Sequence, residues 1–328
     1  MTHALAVRNT ALIGALVLLA STARRLEAQT VDALYASCAA AGGTLAGCGV
    51  AAATTQSILS GLGLLGGLGS EVPGTASALG ARVGGGPRFA ISTRAGAVRV
   101  SMPDVADLSG LDEASFFVPV VQAALTVGLF DGVRLMPTVG GFLSADLFAQ
   151  ISFVSLPQPE GFVGSARSYS AGVRVGILRE SFTLPGVSVS VARRFQNSVQ
   201  FGGVAFGTGR RGDIAEVAID PAVTSLRATI GKDLFAVEVM AGIGWDEYSA
   251  EATARVGDGV GGFVTGSGDV GRGRLLYFGS ASMTVNIVFA LAVEAGWARG
   301  LGTVAGYGGS FDTTAATPFG SFSFRLTL

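Results

Sequence analysis

The sequence predicts an all-β protein: an antiparallel up-and-down transmembrane β-barrel of about ten strands (roughly 8 to 14), preceded by a short helical segment. The chain is apolar, with a mean hydropathy of +0.54 and only 14% charged residues. Beyond residue 28, however, no stretch of about 18 to 20 apolar residues is free of glycine, charge or polar interruption. Alternation of period two dominates from residue 87 onward. In lipid, a closed strand ladder is the alternative to a helix, because it satisfies every backbone group.

Ten candidate strands follow residue 87, and the links between them supply further evidence. We expect the strands near 87–101, 116–129, 140–155, 166–180, 186–198, 222–231, 233–248, 271–285, 287–298 and 318–328. The links after even-numbered strands are short, and those after odd-numbered strands are long. Membrane barrels have short turns at the periplasmic side and longer loops outside, whereas a β-sandwich has no reason to keep this parity. The pattern therefore favours a barrel over residues 87–328.

Residues 1–28 have the pattern of a signal peptide. Arg8 supplies a positive n-region, Ala11–Ala20 is an apolar run of the expected length, and Leu26-Glu27-Ala28 is a small-residue cleavage site. A rival cleavage site follows Ala23. The apolar run is too short to span a bilayer. We therefore expect an exported protein.

Catalysis is not expected of the mature chain. The single histidine, His3, lies in the predicted signal peptide, so no imidazole remains to act as a base. Asp246 and Glu247 are adjacent, but neighbouring strand residues point to opposite faces and do not converge on one substrate atom. We expect no enzyme activity, no cofactor and no metal site.

Residues 29–86 form a separate region that is rich in glycine and in helix formers. Its apolar residues are spaced as in two short helices. Cys38 and Cys48 lie within it, and a disulfide is the favoured interpretation because an exported chain passes through an oxidising compartment. Two thiols without a nearby histidine make a poor zinc site. The region is either a plug that enters the barrel or a periplasmic cap.

The last eleven residues, Pro318–Leu328, read PFGSFSFRLTL. From residue 322 onward, apolar residues alternate with Ser323, Arg325 and Thr327, so a strand here has one apolar face. The apolar positions are Phe322, Phe324, Leu326 and Leu328. This stretch, behind a secretion signal, resembles the closing strand of bacterial outer-membrane β-barrel proteins of the Gram-negative type.

That resemblance implies a cellular location and partners. It implies outer-membrane localisation, contact with outer-membrane lipid, and recognition of the C-terminal strand by the barrel assembly machinery. One departure is that the family most often ends on Phe, whereas this chain ends on Leu328. Residues 29–86 also loosely resemble the plug of outer-membrane transporters for fatty acids and hydrophobic compounds.

Eight charged residues fall at strand positions expected to face the lumen. They are Asp146, Arg174, Arg194, Arg227, Glu238, Asp246, Glu294 and Arg325. Positive and negative charges balance in this set, and buried charges persist when they are paired and hydrogen-bonded. Two interpretations remain open: the pairs brace a narrow lumen, or they form a charged constriction that filters solutes.

Other strand positions are expected to face lipid. Phe235 opens the apolar face of the seventh strand. Aromatic residues near the outer strand ends are expected to form an interfacial girdle. They are Trp245, Tyr248, Trp297, Tyr169 and Phe195.

As a function, the sequence favours a passive channel or transporter for a small, possibly apolar solute. The alternative is a non-conducting barrel with a structural or surface-contact role. The formal net charge of −1 and the absence of a basic patch argue against nucleic acid as a partner.

Overall fold

The computed structural model describes residues 30–82, 86–105, 113–134, 140–203, 215–286, 288–304, 306–309 and 311–328. The predicted signal peptide lies outside these ranges. Within them, two helices precede the strands. The elements are α1 Val31–Ala40, α2 Leu45–Leu65, β1 Arg88–Pro103, β2 Glu113–Phe130, β3 Ser144–Val154, β4 Phe162–Val163, β5 Ala166–Leu178, β6 Gly186–Gln196, β7 Val199–Phe201, β8 Ala215–Leu234, β9 Val237–Gly257, β10 Phe263–Asn286, β11 Phe289–Ala298 and β12 Thr317–Thr327.

Ten of these strands form one closed antiparallel barrel, as the sequence predicts. Their order is β8-β6-β5-β3-β2-β1-β12-β11-β10-β9, and β9 pairs back onto β8. The short strands β4 and β7 pair with each other, and β7 adds to the outer part of β8. The C-terminal strand β12 lies between β1 and β11. Because the ladder closes, no edge is left for lipid to meet.

The strand register fixes the width of the lumen. Following paired residues once around the barrel from Val237 leads to Ser249, twelve residues further along the same strand. Ten strands with this stagger tilt by about 40° and enclose a backbone cylinder roughly 20 Å across. A helix with its side chains is about 10 to 12 Å wide. One helix therefore fits inside only where the wall and the helix carry small side chains.

Three strands are longer than the sequence predicts. β8, β9 and β10 contain 20, 21 and 24 residues, so the segments 199–221 and 249–270, which we expected to be loops, are partly strand. Glycine and polar residues suggested loops, but the alternation of buried and exposed positions continues through them because their inner faces cover the helices. A spanning strand needs only about 9 to 11 residues. These three strands therefore project beyond the membrane on one side.

The two ends of the barrel are thereby distinct. We call the end with the chain terminus at Leu328 the turn end, and the end with the β9–β10 projection the loop end. The predicted parity of link lengths is only partly right. The β8–β9 link at the turn end is two residues long, but the β2–β3 link there covers 131–143, whereas the β9–β10 link at the loop end covers only 258–262. The loop end nonetheless extends further from the membrane, because β8, β9 and β10 project there.

The barrel exterior is apolar, as expected for lipid contact. Phe117, Phe322 and Val293 are 71%, 50% and 59% exposed on outward positions. Trp245, Trp297, Tyr169 and Phe195 are also exposed, as an interfacial girdle requires. Two assignments are wrong. Tyr248 is fully buried, because it shares its inward parity with Asp246, and Phe235 lies in the β8–β9 turn with a positive φ of 65° and not in a strand.

Candidate functional site

The lumen contains residues 45–82, which run from the loop end to the turn end. Helix α2 is 21 residues long and apolar enough to cross a membrane by composition, yet it is buried inside the barrel. It comes so close to the wall that side chains are excluded. A β-carbon placed on Gly61 would lie 2.6 Å from Val100, and one on Gly63 would lie 2.1 Å from the Tyr248 ring. Small residues along α2 therefore make the fit possible.

The outer end of the helical region is fastened to the projecting strands. A disulfide joins Cys38 of α1 to Cys48 of α2, which confirms the predicted pairing. The backbone N–H of Ser267 on β10 donates to the Ser37 hydroxyl at 3.2 Å. The N–H of Thr44 donates to the Gly257 carbonyl at 3.1 Å. Both helices are thus held at the loop end.

The inner end of α2 is surrounded by donors from the wall. The last carbonyls of a helix lack partners within the helix, and this end carries the negative pole of the helix dipole. Gln122 Nε2 donates to the Leu65 carbonyl at 2.7 Å, and Gln150 Nε2 donates to the Gly66 carbonyl at 2.8 Å. Two arginines contact the neighbouring carbonyls. Arg194 reaches Gly63 at 3.4 Å, and Arg227 reaches Gly67 at 3.3 Å and Gly69 at 2.9 Å.

Arg94 of β1 continues this ring of donors. Its Nη1 donates to the Leu68 carbonyl, and its Nη2 donates to the Ser70 carbonyl at 2.6 Å. We call the five wall residues that donate to carbonyls of 63–70 the carbonyl clasp. They are Arg94, Gln122, Gln150, Arg194 and Arg227. They come from five different strands on one side of the barrel, from β8 round to β1, so the clasp holds residues 63–70 against that part of the wall.

Below the clasp, residues 70–80 have no regular secondary structure, and wall carboxylates accept their backbone N–H groups. Asp146 accepts from Leu79 at 2.9 Å and from Gly80 at 3.0 Å. Glu294 accepts from Ser70, and Glu238 accepts from Ala76, each at 3.1 Å. We call these three residues the carboxylate set. A chain without a helix or a strand partner has unpaired amides, so it needs such acceptors.

Wall donors satisfy carbonyls in the same stretch. Arg325 Nη1 donates to Pro73 at 2.8 Å, and the Ser282 hydroxyl donates to Gly74 at 3.0 Å. Arg174 Nη1 donates to the Thr75 carbonyl at 3.3 Å. The wall therefore recognises both polarities of the backbone of residues 70–80.

Three buried ion pairs hold these side chains in place. Asp146 and Arg174 lie 2.7 Å apart, Asp246 and Arg227 lie 2.6 Å apart, and Arg94 and Glu294 lie 3.9 Å apart. Each of these side chains is at most 4% exposed. Charged groups that are shielded from water need oppositely charged or hydrogen-bonding partners. The pairs therefore orient the groups that contact residues 63–80.

Of the eight charged residues expected in the lumen, seven contact residues 63–80 directly. The eighth, Asp246, contacts them only through Arg227, and it also accepts a hydrogen bond from the Tyr248 hydroxyl at 3.3 Å. The sequence reasoning missed Arg94 and Gln122, whereas Gln150 is inward, as its strand parity predicts. Arg94 shares the parity of Ser92 on β1, so strict alternation would have found it.

Some buried polar atoms in this region make no hydrogen bond to the described residues. They include both carboxylate oxygens of Glu71, which is 5% exposed, and Nε and Nη2 of Arg194. At Glu71, therefore, the wall does not satisfy the side chain of the residue it surrounds.

A cavity of about 360 Å³ lies beside α2 at the loop end. Its walls include Ser57 and Ser60 of the helix, Arg99 of β1 and Arg274 of β10. None of residues 62–82 lines the cavity, so the cavity does not continue along the lumen towards the turn end. The cavity is a recess at the outer surface.

Comparison with known proteins yields likenesses of fold. No protein-family model matches the sequence, and no curated protein matches it. Among solved structures, the outer-membrane protease OmpT from Escherichia coli is 11% identical with a TM-score of 0.39, covering 74% of this chain and 96% of that one. The translocator domain of the autotransporter NalP from Neisseria meningitidis is 14% identical with a TM-score of 0.39, covering 73% and 87%.

A third solved structure is the attachment invasion locus protein Ail of Yersinia pestis, in complex with the heparin analogue sucrose octasulfate. It is 9% identical with a TM-score of 0.34, covering 74% of this chain and 99% of that one. At such identities these likenesses carry no argument about function. The closed ladder of ten strands and its apolar, aromatic-girdled exterior are features of the structure itself. This chain has the fold of a bacterial outer-membrane β-barrel.

Proposed function

We propose that the protein is a sealed, non-conducting outer-membrane barrel that holds its disulfide-closed helix pair and the β8–β10 projection outside the cell as a contact surface. One observation carries this proposal: residues 45–82 fill the lumen and are hydrogen-bonded by wall residues along its length. Membrane barrels place longer loops outside and short turns in the periplasm. On that rule the loop end, with α1, faces the exterior.

The chemistry of the lumen supports a seal over a filter. In a charged constriction, the charged groups face water and passing solute. Here the carbonyl clasp and the carboxylate set are directed at the backbone of residues 63–80. Hydrogen bonds that involve a charged group each contribute about 1.5 to 3 kcal/mol, and several would have to break together before the segment could leave. Spontaneous opening is therefore expected to be rare.

Planar-bilayer recordings test the seal. We expect the refolded full-length chain to give no steady conductance, and a variant lacking residues 30–82 to conduct. A shift in gel mobility between unboiled and boiled samples checks that both barrels are folded. Steady conductance of the full-length chain equal to that of the deletion variant would overturn the proposal.

Surface labelling tests the orientation separately, with the full chain. An epitope inserted immediately before Thr30 should bind antibody on intact cells, because α1 lies at the loop end. A matched epitope in the β8–β9 turn, after Phe235, should be labelled only after the outer membrane is permeabilised. The opposite pattern would place α1 in the periplasm and remove the contact-surface role.

A second candidate is a gated channel for a small solute. The unsatisfied carboxylate oxygens of Glu71 and the unsatisfied Nε and Nη2 of Arg194 favour it, because buried polar atoms without hydrogen-bond partners weaken the seal at that level. Liposome swelling with the full-length chain distinguishes the two. Swelling in a small sugar would support the channel, and no swelling supports the sealed barrel.

A further inference from the structure

Two arginines on the outside of the barrel are exposed where a membrane protein normally presents apolar side chains. Arg167 of β5 and Arg193 of β6 occupy outward positions and are exposed. The guanidinium carbon of Arg167 lies 5.8 Å from the centre of the Phe153 ring, and that of Arg193 lies 5.5 Å from the centre of the Phe195 ring. An aromatic face attracts a cation at this distance. Each guanidinium is thus held against the barrel surface.

The register places both arginines at the membrane interface. With a stagger of twelve residues over ten strands, residues at equal height shift by about one position from each strand to the next. Starting from Trp245, this rule leads to Trp297 on β11, then to Tyr169 on β5 and to the neighbourhood of Arg193 on β6. These residues form the aromatic girdle of the loop end, and such girdles lie at the level of lipid headgroups.

Polar groups surround Arg193 without neutralising its charge. Its Nη1 donates to the Thr224 hydroxyl, and its Nη2 lies 3.5 Å from the Ser249 hydroxyl. A guanidinium has five N–H donors, so others remain available. Neither arginine forms an ion pair with a carboxylate of the described residues. Arg193 pairs with Thr224, which pairs in turn with Glu247 on β9. The outward carboxylate of Glu247 therefore lies two strands from Arg193 and limits the positive surface on that side.

We propose that this surface binds the phosphate groups of an outer-leaflet lipid. It is made of Arg167 and Arg193, with Tyr169 and Phe195 between them and Phe153 beside Arg167 on β3. Arginine matches phosphate through two parallel N–H donors. The two Cα atoms are about 14 Å apart, from four residues along β5 and one strand spacing. The rings of Tyr169 and Phe195 would pack against the lipid between the two arginines. This goes beyond the proposed function, because a sealed barrel needs no particular lipid.

Native mass spectrometry of the full-length protein in detergent tests this proposal. The probes are phosphatidic acid and phosphatidylcholine with identical acyl chains, offered in equal amounts. We expect the wild type to retain phosphatidic acid at least fivefold in excess. The double variant Arg167→Gln, Arg193→Gln should lose that preference, and Arg167→Lys, Arg193→Lys should keep most of it because the charge remains.

Arg255→Gln is the matched control. Arg255 also lies over an aromatic ring, 5.1 Å from the centre of Phe263, but ten residues beyond Trp245 along β9, which is about 25 Å above the girdle. It should leave the lipid preference unchanged. Three results would overturn the proposal: no preference in the wild type, an unchanged preference in the glutamine double variant, or an equal loss in Arg255→Gln. Glycerol 3-phosphate should not displace the bound lipid, and displacement would point to a site for free phosphate.

Discussion

The two halves of residues 45–82, which lie in the lumen, are held by different interactions: helix α2 by close packing and residues 66–80 by hydrogen bonds. Helix α2 satisfies its own backbone hydrogen bonds, so the wall around it needs only to match its shape, and it does so with Val100, Tyr248 and other close contacts at glycines. Residues 66–80 have no regular secondary structure, so the wall supplies donors and acceptors one by one. A helix inside a barrel can be accommodated by small side chains, whereas an irregular chain needs polar wall side chains as hydrogen-bond partners.

The largest expected effect on the free energy of unfolding concerns the irregular half, residues 66–80. Asp146→Ala should lower the free energy of unfolding by about 3 to 5 kcal/mol, because Arg174 stays buried without its partner and two backbone N–H groups lose their acceptor. Guanidinium unfolding monitored by tryptophan fluorescence measures this. Asp131→Ala is the control, since the Asp131–Arg179 pair is 43% and 36% exposed and should contribute under about 1 kcal/mol. Equal effects of the two variants would contradict this account.

Removal of the disulfide should affect the helical half. Replacing Cys38 and Cys48 together by Ser should cost about 2 to 3 kcal/mol, the value expected for a loop closed over a sequence separation of 10. Hydrogen exchange should increase in α1 and the first turns of α2, and residues 76–80 should stay protected. Equal loosening of both halves would show that they are not held independently.

A smaller effect is expected from Gly63→Ala. The added β-carbon would collide with the Tyr248 ring, and overpacking of this kind costs about 1 to 3 kcal/mol even though alanine favours the helix. Denaturant unfolding of Gly63→Ala alone, and combined with Tyr248→Leu, measures the collision. The second change should recover much of the loss. A stabilised single variant would mean that the wall yields and that shape matching is not limiting.

The smallest effect concerns the tip of the β9–β10 projection, outside both halves. Backbone N–H groups of Val260 and Gly262 donate to Asp258 and hold the pKa of its carboxyl below the ordinary value of 3.8. A depressed pKa in the folded state means that the stabilisation is complete above 3.8 and is lost as the pH falls through the lower, folded-state pKa. The protection factor of the tip amides, which is the exchange rate of an unstructured peptide at the same pH divided by theirs, should therefore fall in acid. Asp258→Asn should remove that dependence. A wild-type protection factor that does not change with pH would contradict this.

Much of the barrel was predictable because its physical signals are local. Alternation along each strand determines which side chains face lipid, and it identified Asp146, Arg174 and Glu294 as inward before any pairing was known. Strand lengths were harder. The outer parts of β8 to β10 contain glycine and polar residues that are typical of loops, and only the helices packed inside them keep them as strands.

The partners of the inward charges could not be predicted, for a physical reason. Alternation gives the side of a strand but not the height in the barrel, and height depends on a stagger that is set by all ten strands together. The sequence therefore could not distinguish a filter from a set of groups directed at residues 63–80. Tyr248 illustrates the same point, since its chemistry suits the interface but its register places it against Gly63.

By itself, the sequence determined two-faced strands, a disulfide-joined helical region and a balanced set of inward charges. These follow from composition and from period two, which are properties of neighbouring residues. Only the tertiary structure decided that residues 45–82 lie inside the barrel, and that wall side chains hydrogen-bond to their backbone. A backbone without regular structure exposes N–H and C=O groups that are largely independent of its side chains. The groups that bind it therefore lie in the wall, and they come together only when the barrel closes.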